Sequence, residues 1–435
     1  MQKVGIIGAG ISGLTAAITL KRNNVNFKVF EVSNNPGGSL STVKKFDSLI
    51  ESGPNSINGN DKDLLDLINY LSLDDKVTFA NNFSKNRYIV KNKKIVKLPS
   101  SPLKFLTSRI LSFKTLITLF RELKNNSKSR SNETVFEFFE RRFNREINDY
   151  LINPFISGIY GGDSSKLLVK TAFPKLLDIE NQYNSILKGL ILTKNRKKNK
   201  ILTFKDGIIS LPNAMAEKIG DKIIYNYDIK KISRNSHNEW LINDEIFTEL
   251  IFTQPSYCFS NINMPFDLSF INKIYYSPIT TVNLIFNKDD VKNILKGYGV
   301  LIPHCENFFS LGVLFPSSIF SNRCPKDKIL LTVFIGGSLH PEKASKNEVE
   351  LINLVMNDLK KLFNIQKEPT NTFIKVWEKA IPQYDKDAEF VQNKLEFIEK
   401  KYPGIYFSGN YRGGISIINS IKYSKKVALS IINKI

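Results

Sequence analysis

Three glycines, Gly8, Gly10 and Gly13, stand in G-x-G-x-x-G spacing directly after the apolar run Val4 to Ile7, and Leu14 to Leu20 continues from them with helical spacing. The pattern suits a pyrophosphate. The first glycine makes a tight turn, the second lets the backbone approach the phosphates, and the third lets a helix sit close to a strand, with the helix amides facing the negative charge. Ser12 lies inside the same turn. A second apolar run, Phe27 to Phe30, closes on Glu31, where a carboxylate would accept hydrogen bonds from ribose hydroxyls and repel a ribose 2′-phosphate. The spacing therefore predicts a βαβ unit for a dinucleotide with free ribose hydroxyls, FAD or NAD in preference to NADP. A secretory signal built from Lys3 and the apolar run is the competing reading, and the glycines continuing into a helix argue against it.

Around this unit the chain is long enough, at 435 residues with 42% hydrophobic content, for two or three domains with substantial cores. Beyond the glycine-rich start no run reaches the roughly 18 apolar residues of a spanning helix, which predicts a soluble or peripheral protein. Cys258, Cys305 and Cys324 are odd in number and far apart, as in a reducing compartment, and His237, His304 and His340 show no ligand spacing, so no metal site is expected. The net charge of +21 is spread along the chain, and its densest run, Lys194 to Lys200, reads as a solvated loop, so no nucleic-acid partner is expected.

Further along, Asn34 to Gly38 is a turn with paired glycines, Gly37 and Gly38, and Glu51 to Asn58 reads as a loop. Asp61 to Leu73 has helical periodicity behind an aspartate, and Arg87 to Leu98 alternates as a hairpin with Lys91 to Lys93 at its turn. From Pro102 onward Leu103, Leu106, Ile110, Phe113, Ile117 and Phe120 recur at helical intervals with Lys104, Arg109, Lys114, Arg121 and Lys124 between them. Such a stripe faces either a core or a membrane surface. The region through Lys200 reads as a helical insertion of about a hundred residues. Ile279 to Phe286 and Ile329 to Phe334 are β-rich, Asn347 to Phe363 is helical, and the C-terminal segment repeats the order strand, glycine loop, helix around Gly409, Asn410, Gly414 and Ile415. A second glycine loop at the far end suggests that the C-terminus folds back onto the opening unit.

A two-part nucleotide site, with PGGS after the acidic strand end and GNYRGG near the C-terminus, resembles the flavin amine oxidase superfamily. Five segments narrow the resemblance: ESGPNSI (Glu51 to Ile57), RYIVKNKKIVKLPSSP (Arg87 to Pro102), NPFISGIYGGDSSKL (Asn153 to Leu167), LTFKDGIISLPNAMAEKI (Leu202 to Ile219) and FSGNYRGGIS (Phe407 to Ser416) are similar, in order, to segments of the protoporphyrinogen oxidases. The resemblance implies an α/β fold: a Rossmann-like FAD-binding domain built from discontinuous segments (1–80, 203–255 and 398–435), a mixed-sheet substrate domain (81–100 and 256–397), and a helical, membrane-facing insertion (101–202). It implies non-covalent FAD, a tetrapyrrole substrate, molecular oxygen as acceptor, and a cytoplasmic location with peripheral contact at the inner face of the membrane. A homodimer is compatible with it. Ser39 departs from the pattern, which has a basic residue after the paired glycines; Lys44 or Lys45 could substitute.

The same resemblance assigns roles residue by residue. Gly8, Gly10, Ser12, Gly13, Glu31, Gly37 and Gly38 would hold the adenosine and pyrophosphate end of FAD, Ile229, in the expected strand YDIKKI, would read adenine through its backbone, and Gly409, Asn410, Gly414 and Ile415 would lie nearer the flavin ring. Trp377 sits in a segment near the flavin, or packs the domain junction. Arg87 would clamp a propionate, Leu301 and Phe320 would sandwich the rings, and Gly158 would let backbone approach the macrocycle. No catalytic side chain is implied, because flavin performs the chemistry. The expected reaction is oxidation of protoporphyrinogen IX to protoporphyrin IX. The alternatives are oxidation of coproporphyrinogen III, another flavin amine oxidase-like reaction, or a non-catalytic basic protein on an inactive flavin fold.

Overall fold

The computed structural model describes residues 3–99, 110–193, 200–291 and 295–434. A five-stranded parallel sheet lies at its centre, in the order Ile223–Ile224, Asn26–Phe30, Lys3–Ile7, Glu249–Phe252, Ile405–Phe407. Parallel strands are covered on both faces, which is why these strands read as continuous apolar runs. On one face lies the helix Ile11–Arg22, ten of whose twelve residues are buried. Its small residues, among them Gly13, Ala16 and Ala17, let it sink between the sheet and the C-terminal helix Ile417–Ile432, whose Ile421, Ala428 and Ile431 join the same core. The far end of the chain thus completes the opening unit. On the other face Phe252 and Phe407 share a core with Ile271 and with Val391, Leu395 and Ile398 of the helix Lys386–Lys401.

A second, seven-stranded sheet runs Asn371–Pro382, Tyr276–Asn287, Lys328–Gly336, Gly312–Leu314, Gly299–Leu301, Arg87–Lys91, Lys94–Lys97. It is antiparallel except where Gly299–Leu301 meets Arg87–Lys91. The hairpin Arg87–Lys97 turns through Asn92 and Lys93, both with positive φ, as a two-residue turn matched to strand twist requires. Strand side chains alternate between faces. Tyr88, Val282, Val300, Val313 and Val333 face one way and bury against Leu351, Val355 and Leu359 of the helix Glu348–Phe363. The register Ile89↔Leu301↔Gly312↔Phe334↔Thr281 puts those residues, with Arg87 two positions from Ile89, on the opposite face.

Helices Phe113–Glu122, Val135–Arg142, Asn153–Tyr160, Pro174–Tyr183 and Ile186–Leu192 form the insertion. Their packing closes over a buried ion cluster: Arg142 donates to Glu122 at 2.9 Å and to Glu180 at 2.7 Å, and Glu122 also accepts the Ile186 amide at 2.7 Å, capping that helix. Buried charges persist only when paired and hydrogen-bonded in this way. The apolar stripe divides: Ile110 is buried in a core that Leu116 and Leu119 also pack against, whereas Phe113, 78% exposed, Phe120, 61% exposed, and Ile117 beside them turn outward, so the core-facing alternative holds at Ile110 and not at these three. Leu103, Leu106, Lys104, Arg109 and the run Lys194 to Asn199 lie outside the described residues.

Candidate functional site

The opening turn has the shape its glycines demand. Gly8 takes φ +106°, and a β-carbon on Gly13 would stand 1.9 Å from the Gly8 carbonyl oxygen, so the helix can start this close to the strand only without a side chain. At Gly10 a β-carbon would meet nothing within 4 Å. The space in front of Gly10 is therefore empty of protein while the backbone stays within reach of it. Gly10 is also the N-cap of Ile11–Arg22 and brings no side chain to cap the first amides, which leaves them for a ligand. The amide of Gly37 donates to Ala9 O at 2.9 Å, and Gly38, at φ +59°, stands opposite Gly10.

Glu31, nine-tenths buried, accepts the Ala9 amide at 2.6 Å and both the amide and hydroxyl of Ser33, at 2.9 and 2.6 Å. It braces the turn as well as ending the strand, and its oxygens keep acceptor capacity for ribose hydroxyls. Ser12 is buried in the first turn of the helix. Beside the turn, the side-chain nitrogen of Gln254 is buried without a partner, a donor that no motif in the sequence marks. An uncapped helix start, an open glycine and an orphaned amide together fit the pyrophosphate of FAD. Ile229 is corrected in one respect. It lies in the irregular stretch between Ile223–Ile224 and Ile232–Arg234, not in a strand, because Ile224 ends the pairing; it is buried with Phe30 and Phe252.

The C-terminal loop is held from several sides. Gly409 and Gly414 take φ +147° and +112°. The Tyr384 hydroxyl donates to Asn410 O at 2.6 Å, and burial pushes that phenol well up, so it keeps its proton. Arg412 donates to Glu399 and to the Tyr423 hydroxyl, each at 2.7 Å. Ile415 packs against the cluster that holds Ile156 and Tyr384, at the joint with the helical insertion.

One pair of candidate substrate residues meets directly, and the other two are linked only through Tyr298. A β-carbon on Gly158 would stand 2.6 Å from Leu301 Cδ2, so the missing side chain admits Leu301 to the surface of Asn153–Tyr160. Arg87 is exposed, its guanidinium 4.6 Å from the ring centre of Tyr298, and among the described residues no ion pair engages it. Tyr298 packs against the cluster that buries Phe320, and its hydroxyl lies 3.1 Å from Ser56 Oγ. Trp377 Nε1 donates to Ser52 O at 2.7 Å, joining the second sheet to the nucleotide layer. This contact accounts for the junction reading of Trp377. Lys45, a suggested substitute at Ser39, has its ammonium over Phe373, at the edge of the second sheet.

Sequence spacing gave no hint that His304 and His340 meet, Nδ1 to Nε2, at 3.1 Å. Nor did it flag Glu51, which reads as the start of a loop but ends the strand Ser48–Glu51 and pairs with buried Arg323 at 2.8 Å. Among the described residues no group of three or more His, Cys, Asp or Glu is placed to hold a metal ion, and no helix is long and apolar enough to cross a membrane.

A glycine cradle on a parallel sheet, completed by a second glycine loop and joined to a mixed sheet, defines an FAD-dependent oxidoreductase. Residues 11–420 match the flavin-containing amine oxidoreductases, and the chain belongs to that family. It is 33% identical over 473 residues to protoporphyrinogen oxidase 2 of Arabidopsis thaliana, covering 98% of this chain and 93% of that one. It is 26% identical over 458 residues to coproporphyrinogen III oxidase of Bacillus subtilis (strain 168), covering 98% and 96%. Among solved structures, a protoporphyrinogen oxidase candidate from Exiguobacterium sp. 255-15 superposes with a TM-score of 0.85 at 21% identity, over 100% of this chain and 99% of that one.

Proposed function

We propose that the protein oxidises protoporphyrinogen IX to protoporphyrin IX. FAD supplies a two-electron acceptor, so the six electrons leave in three rounds, with oxygen taking them up. The pyrrole nitrogens of such a substrate already activate its bridging carbons. What remains for the chain is to bind the ring, orient it and keep water out. Arg87, stacked on Tyr298, has its guanidinium edge free for bidentate contact with a propionate carboxylate. Leu301 would form an apolar wall for the ring, Phe320, 2% exposed, would back that wall from the cluster it shares with Leu314 and Ile319, and Gly158 keeps the helix Asn153–Tyr160 close to Leu301.

The observation that carries the reading is the near-full-length similarity to a protoporphyrinogen oxidase together with the meeting of Gly158 with Leu301 and of Arg87 with Tyr298 beside Phe320. Coproporphyrinogen III is the second reading, supported by the B. subtilis relative; its four propionates call for more cations than Arg87. Contact with a membrane surface belongs to the proposal as well: Phe113, Ile117 and Phe120 project from one helix among exposed Lys114, Arg121 and Lys124. So does a homodimer, which sedimentation would test. The functional test is steady-state formation of fluorescent porphyrin from each porphyrinogen in air. A kcat/KM at least about tenfold higher for protoporphyrinogen IX is expected; the reverse preference selects the second reading.

A further inference from the structure

Arg323 is 1% exposed, yet it belongs to no part of the FAD cradle and cannot itself reach solvent. Its Nη2 bonds Glu51 Oε1 at 2.8 Å and donates to Thr203 Oγ1 at 2.6 Å, and its carbonyl accepts the Leu49 amide at 2.8 Å. The guanidinium lies 5.1 Å from the ring centre of Phe320, close enough for a cation–π contact. Its Nη1 has no hydrogen-bond partner among the described residues, and Arg323 lies with Asn55, Ser56, Leu314 and Phe320 around a crevice too narrow to hold a water molecule. A buried donor left unpaired is costly.

The other end of the pair leads to the cradle. Glu51 accepts the Ile208 amide at 3.0 Å and the Thr42 hydroxyl at 2.5 Å, and Thr42 Oγ1 accepts the Ile209 amide at 3.2 Å. Ile209 Cδ1 in turn lies 3.1 Å from where a β-carbon of Gly37 would stand. Ile209, Thr42, Glu51, Arg323 and Phe320 thus form one line of contact that starts beside Gly37 and ends at the proposed substrate wall.

We propose that Arg323 is a positioning residue: held by Glu51, it fixes the ring of Phe320 and ties that part of the substrate wall to the FAD-binding layer. The proposal rests on the reading of Phe320 as part of the wall of the porphyrinogen site. Lysine keeps the charge of arginine but not its planar face or its fork of donors. Arg323→Lys should therefore loosen Phe320 without stranding Glu51.

The experiment measures KM, kcat, flavin content and the Kd of the porphyrin product for holoenzyme carrying Arg323→Lys, Phe320→Leu, and both. Arg323→Lys is expected to raise KM and product Kd by about five- to tenfold, the size of one displaced cation–π contact together with the lost donor fork, with a smaller change in kcat. In the Phe320→Leu background it should add almost nothing, since a residue acting through another is non-additive with it. Full additivity, or a wild-type KM for Arg323→Lys, overturns the proposal. A wild-type KM for Phe320→Leu instead removes Phe320 from the substrate site, a separate failure. Should Arg323→Lys fold poorly, the paired change Glu51→Gln with Arg323→Met removes the ion pair without leaving a lone buried charge. The same rise in KM is then expected, and its absence counts against Arg323.

Discussion

At the nucleotide end, five glycines between Gly8 and Gly38 shape the site by leaving side chains out. At the proposed substrate wall, Arg87, Gly158, Leu301 and Phe320 come from separate segments of the chain, and three of them would act through what their side chains touch. The first kind of site is written in local backbone conformation, the second in the register of a seven-stranded sheet and the docking of a helical insertion on it. Damage should therefore differ in kind. Changes in the cradle cost flavin, and changes in the wall cost substrate affinity with flavin retained.

The largest effect is expected from Gly13→Val. Its β-carbon would collide with the Gly8 carbonyl, which is backbone and cannot swing aside, so the purified protein should lack the flavin absorption band. Gly10→Ala sharpens the point: with open space around it, it should cost at most about 1 kcal/mol of stability as a weaker N-cap, while an added methyl group facing the phosphates lowers FAD affinity by at least about tenfold. Normal FAD affinity in Gly10→Ala would mean that the pyrophosphate lies elsewhere.

On the wall, Arg87→Gln should raise KM by about ten- to a hundredfold, the worth of a charge-assisted hydrogen bond, at unchanged flavin content. Gly158→Ala should lower kcat/KM by about fivefold or more through overpacking against Leu301, and adding Leu301→Val should restore part of the loss. No restoration in the double variant would separate the two residues.

A subtler contrast concerns the joint between wall and insertion. Burial would push the Glu146 carboxyl up, but Lys91, Ser112 and Thr115 outweigh it and hold the group at about 2. A folded value below the unfolded one stabilises the protein above the unfolded value, here the ordinary carboxylate range near 4.5, and the contribution is lost as pH falls from there toward 2. Urea midpoints between pH 5 and 3 should fall less steeply in Glu146→Gln than in wild type. Equal slopes would assign acid sensitivity to other groups. The smallest effect on catalysis is expected from Phe120→Ser, which should weaken flotation with anionic vesicles while leaving activity on dispersed substrate near wild type.

Much of the cradle was legible because each feature occupies a few consecutive residues: the turn at Gly8, the helix behind Gly13, the closing carboxylate at Glu31. The C-terminal loop was legible for the same reason, though its brace by Tyr384 was not, since 26 residues separate that hydroxyl from Asn410. Ile229 shows the limit of local reading. Its alternation with polar neighbours, across Tyr227, Asp228, Ile229 and Lys230, suits a strand, yet only two residues, Ile223 and Ile224, find partners on Asn26–Phe30. The outward stripe on Phe113–Glu122 had two readings because periodicity gives a face but not what lies against it. Glu51 and Arg323 were missed because an acidic residue in a loop-like segment and an arginine far along the chain carry no joint signal until the two sheets are brought together.

The central claim, that this flavin fold serves a porphyrinogen, is tested most directly by mixing the anaerobic holoenzyme with protoporphyrinogen IX and, separately, with coproporphyrinogen III while the flavin band is followed. Rapid bleaching by protoporphyrinogen IX, with much slower bleaching by coproporphyrinogen III, is the predicted result. An oxidised flavin band that persists with both substrates would contradict the account.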